Sequence, residues 1–406
     1  MKRIITLLTL LAISPELYSQ GEINGISLEG RQTAVVQTAV PFLTITPDSR
    51  AGAMGDAGVA TTPDAYSNHW NPSKIAFAEN SSIGFSYSPW LSQIASDIHL
   101  TYLSGFHQID DLSGFGLSMR YFSLGDITFT DEIGDWQGDH RPYEMAIDGS
   151  YARKLSDRFS IGVGLRYIYS NLTGGHSVGG VESNPGQSVA GDISAFYTRD
   201  RELFGYDGNL SFGANFSNLG AKVTYTEDIE SSFLPANMRL GTSATIDIDD
   251  FNSFTTNFDV NKLLVPTNPT RDEDGNIIDG MDPDVPVMQG VVQSFYDAPG
   301  GFDESIKEFM PSVGFEWWYN EQFAARAGYF YEHPAKGNRQ YVTAGLGLRY
   351  NVLGIDFAYL LTTNRSAGQT NPLDNTLRFS LSLLIDEGGI GDIHGDNDAS
   401  ASRIRF

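Results

Sequence analysis

The residues in this sequence that could catalyse a reaction form no pattern that indicates an enzyme. The chain of 406 amino acids has no cysteine and seven histidines, so neither a thiol nucleophile nor a thiolate metal site can form. No HExxH pattern occurs. The glycine-rich run Gly174–Gly180 is not followed by the helical pattern that a phosphate-binding loop requires. The sequence therefore predicts a protein with no catalytic residue and no cofactor.

One long segment, Lys262–Pro311, combines an acidic half with an apolar half. Asp272, Asp274, Asn276 and Asp279 have spacings similar to those of a calcium loop. The glycine and the closing glutamate of an EF-hand are out of register, so a solvated acidic loop without a metal is the prediction and calcium the alternative. The other half is predicted to bind a partner protein, since exposed apolar loops mark such sites. Its candidate residues are Val291, Val292, Phe295, Tyr296 and Phe302.

Composition limits the fold and the partners. A formal net charge of −24 argues against nucleic acid, which needs a basic face. A hydrophobic fraction of 41% is too high for a disordered chain. The 25 Phe, 19 Tyr and 43 Gly are typical of an all-β protein, built as one large domain or as two or three ordinary ones.

Residues 1–20 have the pattern of a cleaved secretory signal peptide. Lys2 and Arg3 precede the short apolar run Ile4–Ile13, which is too short to span a bilayer. No later stretch of about 18 apolar residues follows. An exported chain of this kind is periplasmic, secreted or an outer-membrane barrel.

Alternation of apolar and polar residues then predicts fourteen strands of about ten residues, the length that a tilted strand needs to cross a bilayer. In the clearest one, Phe159–Ser170, alternate positions are apolar. The others are Ser82–Tyr87, Ile98–His107, Phe115–Phe122, Tyr143–Arg153, Gln187–Tyr197, Leu210–Ser217, Asn237–Asp247, Phe254–Asn261, Ser312–Tyr319, Phe323–Glu332, Tyr341–Tyr350, Gly354–Leu361 and Leu377–Asp386.

The connections between these strands alternate between short and long. Turns such as Asp110–Ser113 and Asn351–Leu353 alternate with loops such as Leu124–Pro142 and Lys262–Pro311. Short periplasmic turns and long external loops are typical of outer-membrane barrels. We therefore predict a 14-stranded antiparallel transmembrane β-barrel over residues 81–386, with both termini on the periplasmic side. A soluble β-sandwich is the alternative.

In such a barrel the polar face of each strand lines the lumen. Charges of both signs alternate there, which predicts a structural network, with a conduction path as the alternative. The predicted lumen residues are Arg120, Glu144, Asp148, Arg166, Asp192, Arg239, Glu316, Arg326, Glu332, Arg349, Asp356 and Arg378.

Side chains alone do not fill a fourteen-stranded lumen, so residues 21–80 are predicted to form an arm and a plug. The stretch Arg50–Phe77 is rich in small residues and lacks strand alternation. Asp56, Asp64 and Asn68 are expected to bond lumen arginines. A periplasmic or disordered arm is the alternative. The other predicted plug residues are Gly52, Gly55, Gly58, Trp70, Asn71 and Pro72, and residues 387–406 form an acidic tail.

The stretch Arg50–Phe77 (RAGAMGDAGVATTPDAYSNHWNPSKIAF) resembles the hatch of the FadL-like outer-membrane proteins. With the other motifs it resembles, more closely, the PorV (LptO) family of the type IX secretion system of Bacteroidetes. These motifs are Asn215–Gly220 (NFSNLG), Phe233–Gly241 (FLPANMRLG), Gly290–Phe302 (GVVQSFYDAPGGF), Phe315–Arg326 (FEWWYNEQFAAR) and Asn371–Phe379 (NPLDNTLRF). The acidic tail departs from barrels that end on their last strand.

The resemblance implies a non-enzymatic barrel in the outer membrane, in contact with its lipid. It would bind a large translocon barrel (SprA or Sov), accept the C-terminal signal domain of secreted cargo and pass the cargo to a surface attachment complex with a sortase-like protease. Three alternatives remain. One is a FadL-type channel for hydrophobic small molecules, another is a purely structural barrel, and the last is a lipid esterase with a serine and a histidine brought together by the fold.

Overall fold

The computed structural model describes residues 35–91, 95, 97–130, 136–174, 183–225, 231–364 and 371–385. The predicted signal peptide 1–20, the start of the arm at 21–34 and the tail 387–406 lie outside them. The strands are β1 (Ser81–Pro89), β2 (Ile98–Asp110), β3 (Ser113–Leu124), β4 (Ile127–Thr130), β5 (Trp136–His140), β6 (Tyr143–Ser156), β7 (Phe159–Asn171), β8 (Gly186–Asp200), β9 (Gly208–Gly220), β10 (Asn237–Asp247), β11 (Asn252–Leu263), β12 (Thr270–Arg271), β13 (Ile277–Asp279), β14 (Met310–Tyr319), β15 (Phe323–Tyr331), β16 (Gln340–Tyr350), β17 (Leu353–Thr362) and β18 (Thr376–Ile385).

Fourteen of these strands form a closed antiparallel barrel, which confirms the predicted fold. The order around it is β1, β2, β3, β6, β7, β8, β9, β10, β11, β14, β15, β16, β17 and β18. Pairing of β1 with β18, from Ser81 with Ile385 to Tyr87 with Phe379, closes the circle. Closure leaves no sheet edge with unpaired backbone groups, which a strand structure in lipid requires. The remaining strands form two hairpins, β4–β5 and β12–β13.

The alternation in sequence explains why the strands form. In β7, Val163 and Leu165 are exposed on the outer face while Ser160 and Arg166 are buried on the inner face. Apolar residues outside and polar residues inside reverse the pattern of a soluble protein and fit a wall surrounded by lipid.

A row of aromatic rings marks one rim of the outer wall. Tyr87, His99, Tyr121, Tyr143 and Tyr169 follow one another across β1, β2, β3, β6 and β7, with centroid distances from 5.4 to 6.5 Å. Aromatic girdles of this kind occur at the membrane–water interfaces of barrels.

The connections divide the barrel into a short-turn end and a long-loop end. Turns such as Asp110–Ser113 and Tyr350–Leu353 lie at the first, together with the start of β1 and the end of β18. The loop between β11 and β14 is the longest connection described at the second and contains the helices Val287–Gln293 and Phe302–Ile306. The short 3-10 helix Pro334–Lys336 lies at the same end. No helix among the described residues is long and apolar enough to cross a membrane.

Residues 35–80 lie within the circle of strands and contact their inner faces. This segment contains the helices Ser49–Gly52 and Ser67–Trp70 and the 3-10 helices Pro41–Thr44 and Pro72–Phe77. Its apolar side chains pack at both ends of the lumen. Phe42 and Leu43 join the cluster of Leu100, Phe122 and Ile168 towards the long-loop end, and Ile75 joins that of Phe106 and Ala152 towards the short-turn end.

The first described residues lie at the long-loop end, opposite the start of β1. Both termini are outside the described residues, so their predicted periplasmic side stays a prediction. The N–H of Ala39 donates to the carbonyl of Phe233 at 2.9 Å, and Val36 packs beside Phe233 and Leu264. Phe233 and Leu264 belong to the long-loop end, whereas β1 starts at the opposite end. The strand count fixes only where β1 begins, because the preceding segment runs through the lumen.

Candidate functional site

The lumen segment lies directly against the wall at glycine positions of both partners. A Cβ on Gly328 of β15 would lie 2.1 Å from the backbone carbon of Met54. Gly55 has φ +69° and lies against the backbone of Tyr329. Two further predicted plug glycines have close side-chain neighbours, since Gly52 lies against Arg378 and Gly58 against Trp70. Only glycine allows backbone to approach backbone this closely.

Polar side chains of the segment form hydrogen bonds within the segment and with the wall. The carboxylate of Asp48 accepts the N–H of Trp70 at 2.6 Å and that of Ala51 at 2.9 Å. The amide of Asn71 donates to the carbonyls of Val59 and Ala195, at 3.0 and 3.1 Å. Directly after Asn71, Pro72 begins a 3-10 helix.

The three residues expected to bond lumen arginines behave differently. Asp56 fits the expectation, since it lies 3.4 Å from Arg378 and accepts the hydroxyl of Tyr341 at 2.6 Å. Asp64 instead pairs at 3.0 Å with Arg50 of its own segment. The expectation was wrong for Asn68, which donates to the carbonyl of Gly105 at 3.1 Å and accepts from Ser150 at 2.5 Å. Asn68 also faces Gly116, so the wall presents no arginine to it.

Most of the predicted lumen charges form two buried groups. In the first, Arg326 donates to Glu316 at 2.6 Å and to Asp356 at 2.7 Å, Arg50 binds Glu316 at 2.9 Å, and Arg349 binds Asp356 at 3.0 Å. Such pairs need good geometry to offset desolvation.

The second buried group centres on Arg166. Arg166 bonds Asp148 and also Asp192, the latter at 3.1 Å. Both acids also accept a hydrogen bond from a neutral group. Ser118 donates to Asp148 at 2.9 Å, and the N–H of Asn218 donates to Asp192 at 2.8 Å.

Two other lumen arginines bind neutral groups of the enclosed segment. Arg120 donates to the carbonyl of Leu43 at 2.6 Å and lies 2.7 Å from Nδ1 of His69. Arg239 donates to the side chain of Asn261 at 3.0 Å and to the carbonyl of His69 at 3.2 Å. The segment therefore supplies acceptors that the wall does not.

Two predicted acids remain. The hydrogen-bond partner of one lies in the lumen, and the ion-pair partner of the other lies at the rim. Glu144 accepts the hydroxyl of Ser170 at 2.9 Å. Glu332 binds Arg339 at 2.8 Å, in the connection after β15.

Sequence reasoning missed Lys74 and Asp259. Lys74 is fully buried and donates to the carbonyl of Gly58 at 2.9 Å and the hydroxyl of Thr61 at 3.0 Å. Asp259 accepts the N–H groups of Gly58 and Val59, at 2.7 and 2.9 Å. The inward position of Asp259 in β11 was the available signal.

The loop between β11 and β14 exposes apolar side chains. Unlike those on the outer face of the strands, they are not part of the lipid-facing wall. Four of the five predicted partner-binding residues are exposed, from Phe295 at 43% to Phe302 at 78%, whereas Val291 is half-buried against Leu264 and Phe309. Sequence reasoning missed Met288 and Ile306. Met288 lies four residues before Val292 and Ile306 four residues after Phe302, so each pair shares one face of its helix. We call the exposed set the long-loop surface: Met288, Val292, Phe295, Tyr296, Phe302 and Ile306.

The acidic half of the same loop forms the hairpin β12–β13. Asp272 accepts from the backbone N–H and the side chain of Asn276, at 2.7 and 3.1 Å, and these bonds lower the pKa of Asp272. The acidic spacing thus serves a turn. Within the residues that the structure describes, no group of three or more His, Asp or Glu could hold a metal ion. Farther along the loop, burial raises the pKa of Asp297, which accepts the N–H of Thr267 at 2.9 Å.

The fold brings one serine and one histidine together, as an esterase would need. Ser81 Oγ lies 2.8 Å from Nδ1 of His107 on the neighbouring strand. In the described part of the chain, no carboxylate or amide hydrogen-bonds the other ring nitrogen of His107. Residues 175–179 also spell a G-x-S-x-G sequence, and they lie outside the residues that the structure describes.

A cavity of about 320 Å³ opens into the lumen at the short-turn end. Tyr66, Phe106, Phe196, Trp318 and Arg349 are among its lining residues. The enclosed segment therefore leaves this end of the lumen partly open.

Comparison with known proteins gives one family and several structures. Residues 28–270 match the family described as type IX secretion system protein PorV. The toluene transporter TodX of Pseudomonas putida is 13% identical, with 84% of this chain and 98% of that chain covered and a TM-score of 0.48. A FadL homologue of Pseudomonas aeruginosa is also 13% identical, with 84% and 99% covered and a TM-score of 0.43. No curated protein matched the sequence.

Proposed function

Because the chain belongs to the family of type IX secretion system protein PorV, we propose that it is a non-enzymatic component of that system that carries secreted cargo to the cell surface. It binds the SprA- or Sov-like translocon barrel and the C-terminal signal domain of cargo, and passes the cargo to a sortase-like attachment complex. The family and the closed barrel support an outer-membrane location. The signal peptide 1–20 and an origin in Bacteroidetes are part of the same proposal.

The long-loop surface is the observation that carries this proposal. Its apolar side chains belong to the loop rather than to strands, so the lipid that covers the wall does not account for their exposure. Exposed apolar groups next to a charged hairpin have the composition of a protein interface with an apolar centre and a polar rim. A partner protein is therefore the ligand that fits this part of the molecule.

The enclosed segment has a supporting role in this proposal. Its buried contacts with the wall suit a plug that seals and braces the barrel while the loop binds partners. Removing Arg50–Phe77 is expected to make the membrane leaky and leave cargo transfer intact. Loss of transfer in a folded barrel would show that the segment does more than seal.

A FadL-type channel for hydrophobic small molecules is the second candidate, and the cavity at the short-turn end favours it. Aromatic residues of its lining, among them Tyr66, Phe106, Phe196 and Trp318, would contact such a ligand, whereas most of the other lining residues are polar or charged. The two functions differ in their knockout phenotypes. A channel mutant loses growth on a hydrophobic carbon source and secretes normally, whereas a secretion mutant retains its cargo.

Deleting Val291–Phe302 tests the main proposal. The variant should insert as a folded barrel and fail to secrete cargo, because the loop loses four exposed members of the long-loop surface. Heat-modifiable migration checks folding, and cargo in the medium and co-purified translocon barrel measure function. A matched control deletes Asp272–Asp279 from the acidic hairpin of the same loop. Normal secretion by the first variant would contradict the proposal.

A further inference from the structure

The long loop covers part of the outer wall. Met238 shares the outward face of β10 with the exposed Leu240 yet is only 8% exposed, and it packs with Leu264. Lys262 shares the outward face of β11 with the exposed Phe258 and is 1% exposed. Outward positions near the long-loop ends of β10 and β11 are thus buried by protein, which fixes the loop on the barrel.

Beneath the loop, Glu308 joins three separate parts of the chain. Its carboxylate accepts from Lys262 at 2.5 Å, from Lys336 at 3.0 Å and from the hydroxyl of Thr267 at 2.7 Å. Glu308 is 8% exposed. Lys262 is in β11 and Lys336 in the connection between β15 and β16, so one carboxylate ties the loop to both sides of the rim.

The same ion pairs contact the long-loop surface directly. The ammonium of Lys262 lies 5.5 Å from the ring centroid of Phe295, within the range of a cation–π contact. Lys336 also binds Glu304 at 2.6 Å, and Glu304 lies in the helix that carries Phe302 and Ile306. Both parts of the surface are therefore held by residues bonded to Glu308.

We infer that Glu308, with Lys262 and Lys336, holds the long-loop surface in the conformation that binds its partner. They are positioning residues and do not form the contact face, since all three are buried. This inference rests on the proposed function for its consequence in binding. The ordering of the loop does not depend on that function and can be measured alone.

The mobility test uses the full-length protein with Tyr296→Cys as the site of a nitroxide label, because the chain has no native cysteine to compete for the label. Co-purification is measured without the label and with Tyr296 intact, since Tyr296 belongs to the long-loop surface. Glu308→Gln leaves Lys262 buried without a carboxylate. The label should become more mobile, and the co-purified translocon barrel should fall at least tenfold, while heat-modifiable migration stays normal. Asp284→Asn is the matched control. It removes the ion pair with Lys222, in which Asp284 is largely exposed, and should change neither readout.

A second variant separates positioning from a general loss of stability. Adding Lys262→Met to Glu308→Gln removes the unpaired lysine but does not replace the lost ion pairs or the Lys262–Phe295 contact, so the label should stay mobile and co-purification should stay low. If Glu308→Gln fails to insert, Thr267→Val removes one hydrogen bond to Glu308 and replaces it in the test.

The inference is wrong if the label stays immobile, or if it becomes mobile while co-purification is unchanged. It is also wrong if the double variant restores label order and co-purification, because the effect of Glu308→Gln would then come from the unpaired lysine alone. Failure of the proposed function looks different: a substitution on the long-loop surface itself, such as Phe302→Ser, would then leave co-purification intact.

Discussion

The lumen and the long-loop surface both depart from the usual distribution of side chains, but in opposite ways: the lumen buries charged groups and the loop exposes apolar ones. In the lumen, charged side chains such as Arg326 are buried and paired, and glycines bring the enclosed backbone against the wall. On the loop, side chains such as Phe302 are exposed with no strand to present them to lipid. The buried charges bond the wall to itself and to the enclosed segment, whereas the exposed loop is the part for which we propose partner binding.

The largest expected effect comes from removing the cation of a buried group in the lumen. Arg166→Gln leaves Asp148 and Asp192 without their cation, which costs about 3–5 kcal/mol when a buried pair is broken. Urea unfolding of the refolded barrel measures this loss. Arg141→Gln is the control, since Arg141 and Asp126 form an exposed pair and their separation should not change the unfolding midpoint. Equal effects of the two variants would remove the distinction between lumen and surface charges.

A smaller effect is expected where the backbone of the enclosed segment meets the wall. Gly328→Ala puts a methyl group into the backbone of Met54, and such overpacking typically costs about 1–3 kcal/mol. The enclosed segment should then pack less closely against the wall, and the conductance of the purified barrel in planar bilayers should rise. Gly149→Ala is matched to it, because the nearest atom to its new methyl group belongs to Leu117 at 3.8 Å. If neither variant conducts more than the unmodified barrel, the close contact at Gly328 does not seal the lumen.

The long-loop surface should show no stability effect at all. Phe302→Ser is expected to leave the unfolding midpoint unchanged and to weaken capture of the translocon barrel about fivefold or more, the factor that corresponds to about 1 kcal/mol at an interface. Phe204→Ser is the control, since Phe204 is 92% exposed in a turn at the short-turn end. Equal loss of capture by both variants would show a general response to losing an exposed aromatic residue.

The wall could be predicted from sequence because its signals are local. Alternation in Phe159–Ser170 predicts which side chains of β7 face outward, and short turns such as Asp110–Ser113 predict which strands pair. Both depend on neighbours in the chain. The resemblance of the motifs to the PorV family gave the same barrel and is confirmed by the family match.

The contents of the lumen could not be predicted in the same way. Asp259 and Gly58 bond across a separation of 201 residues, and no pattern in either stretch selects the other. Asn68 was assigned to arginines, but the wall beside it consists of Gly116, Gly105 and Ser150. Such pairings depend on how the enclosed segment is oriented inside the barrel, because its orientation decides which strand faces each residue. This orientation is set only in the assembled barrel.

The pairing of β1 with β18 constrains how the molecule is assembled. Ser82 bonds the carbonyl of Leu383 across 301 residues, so the circle cannot close until the final strand is present. Once the seam has formed, residues 36–80 lie inside a closed ring of strands and join apolar clusters at both ends of the lumen. Closure of the barrel between β1 and β18 therefore also encloses the segment that precedes β1 in the chain.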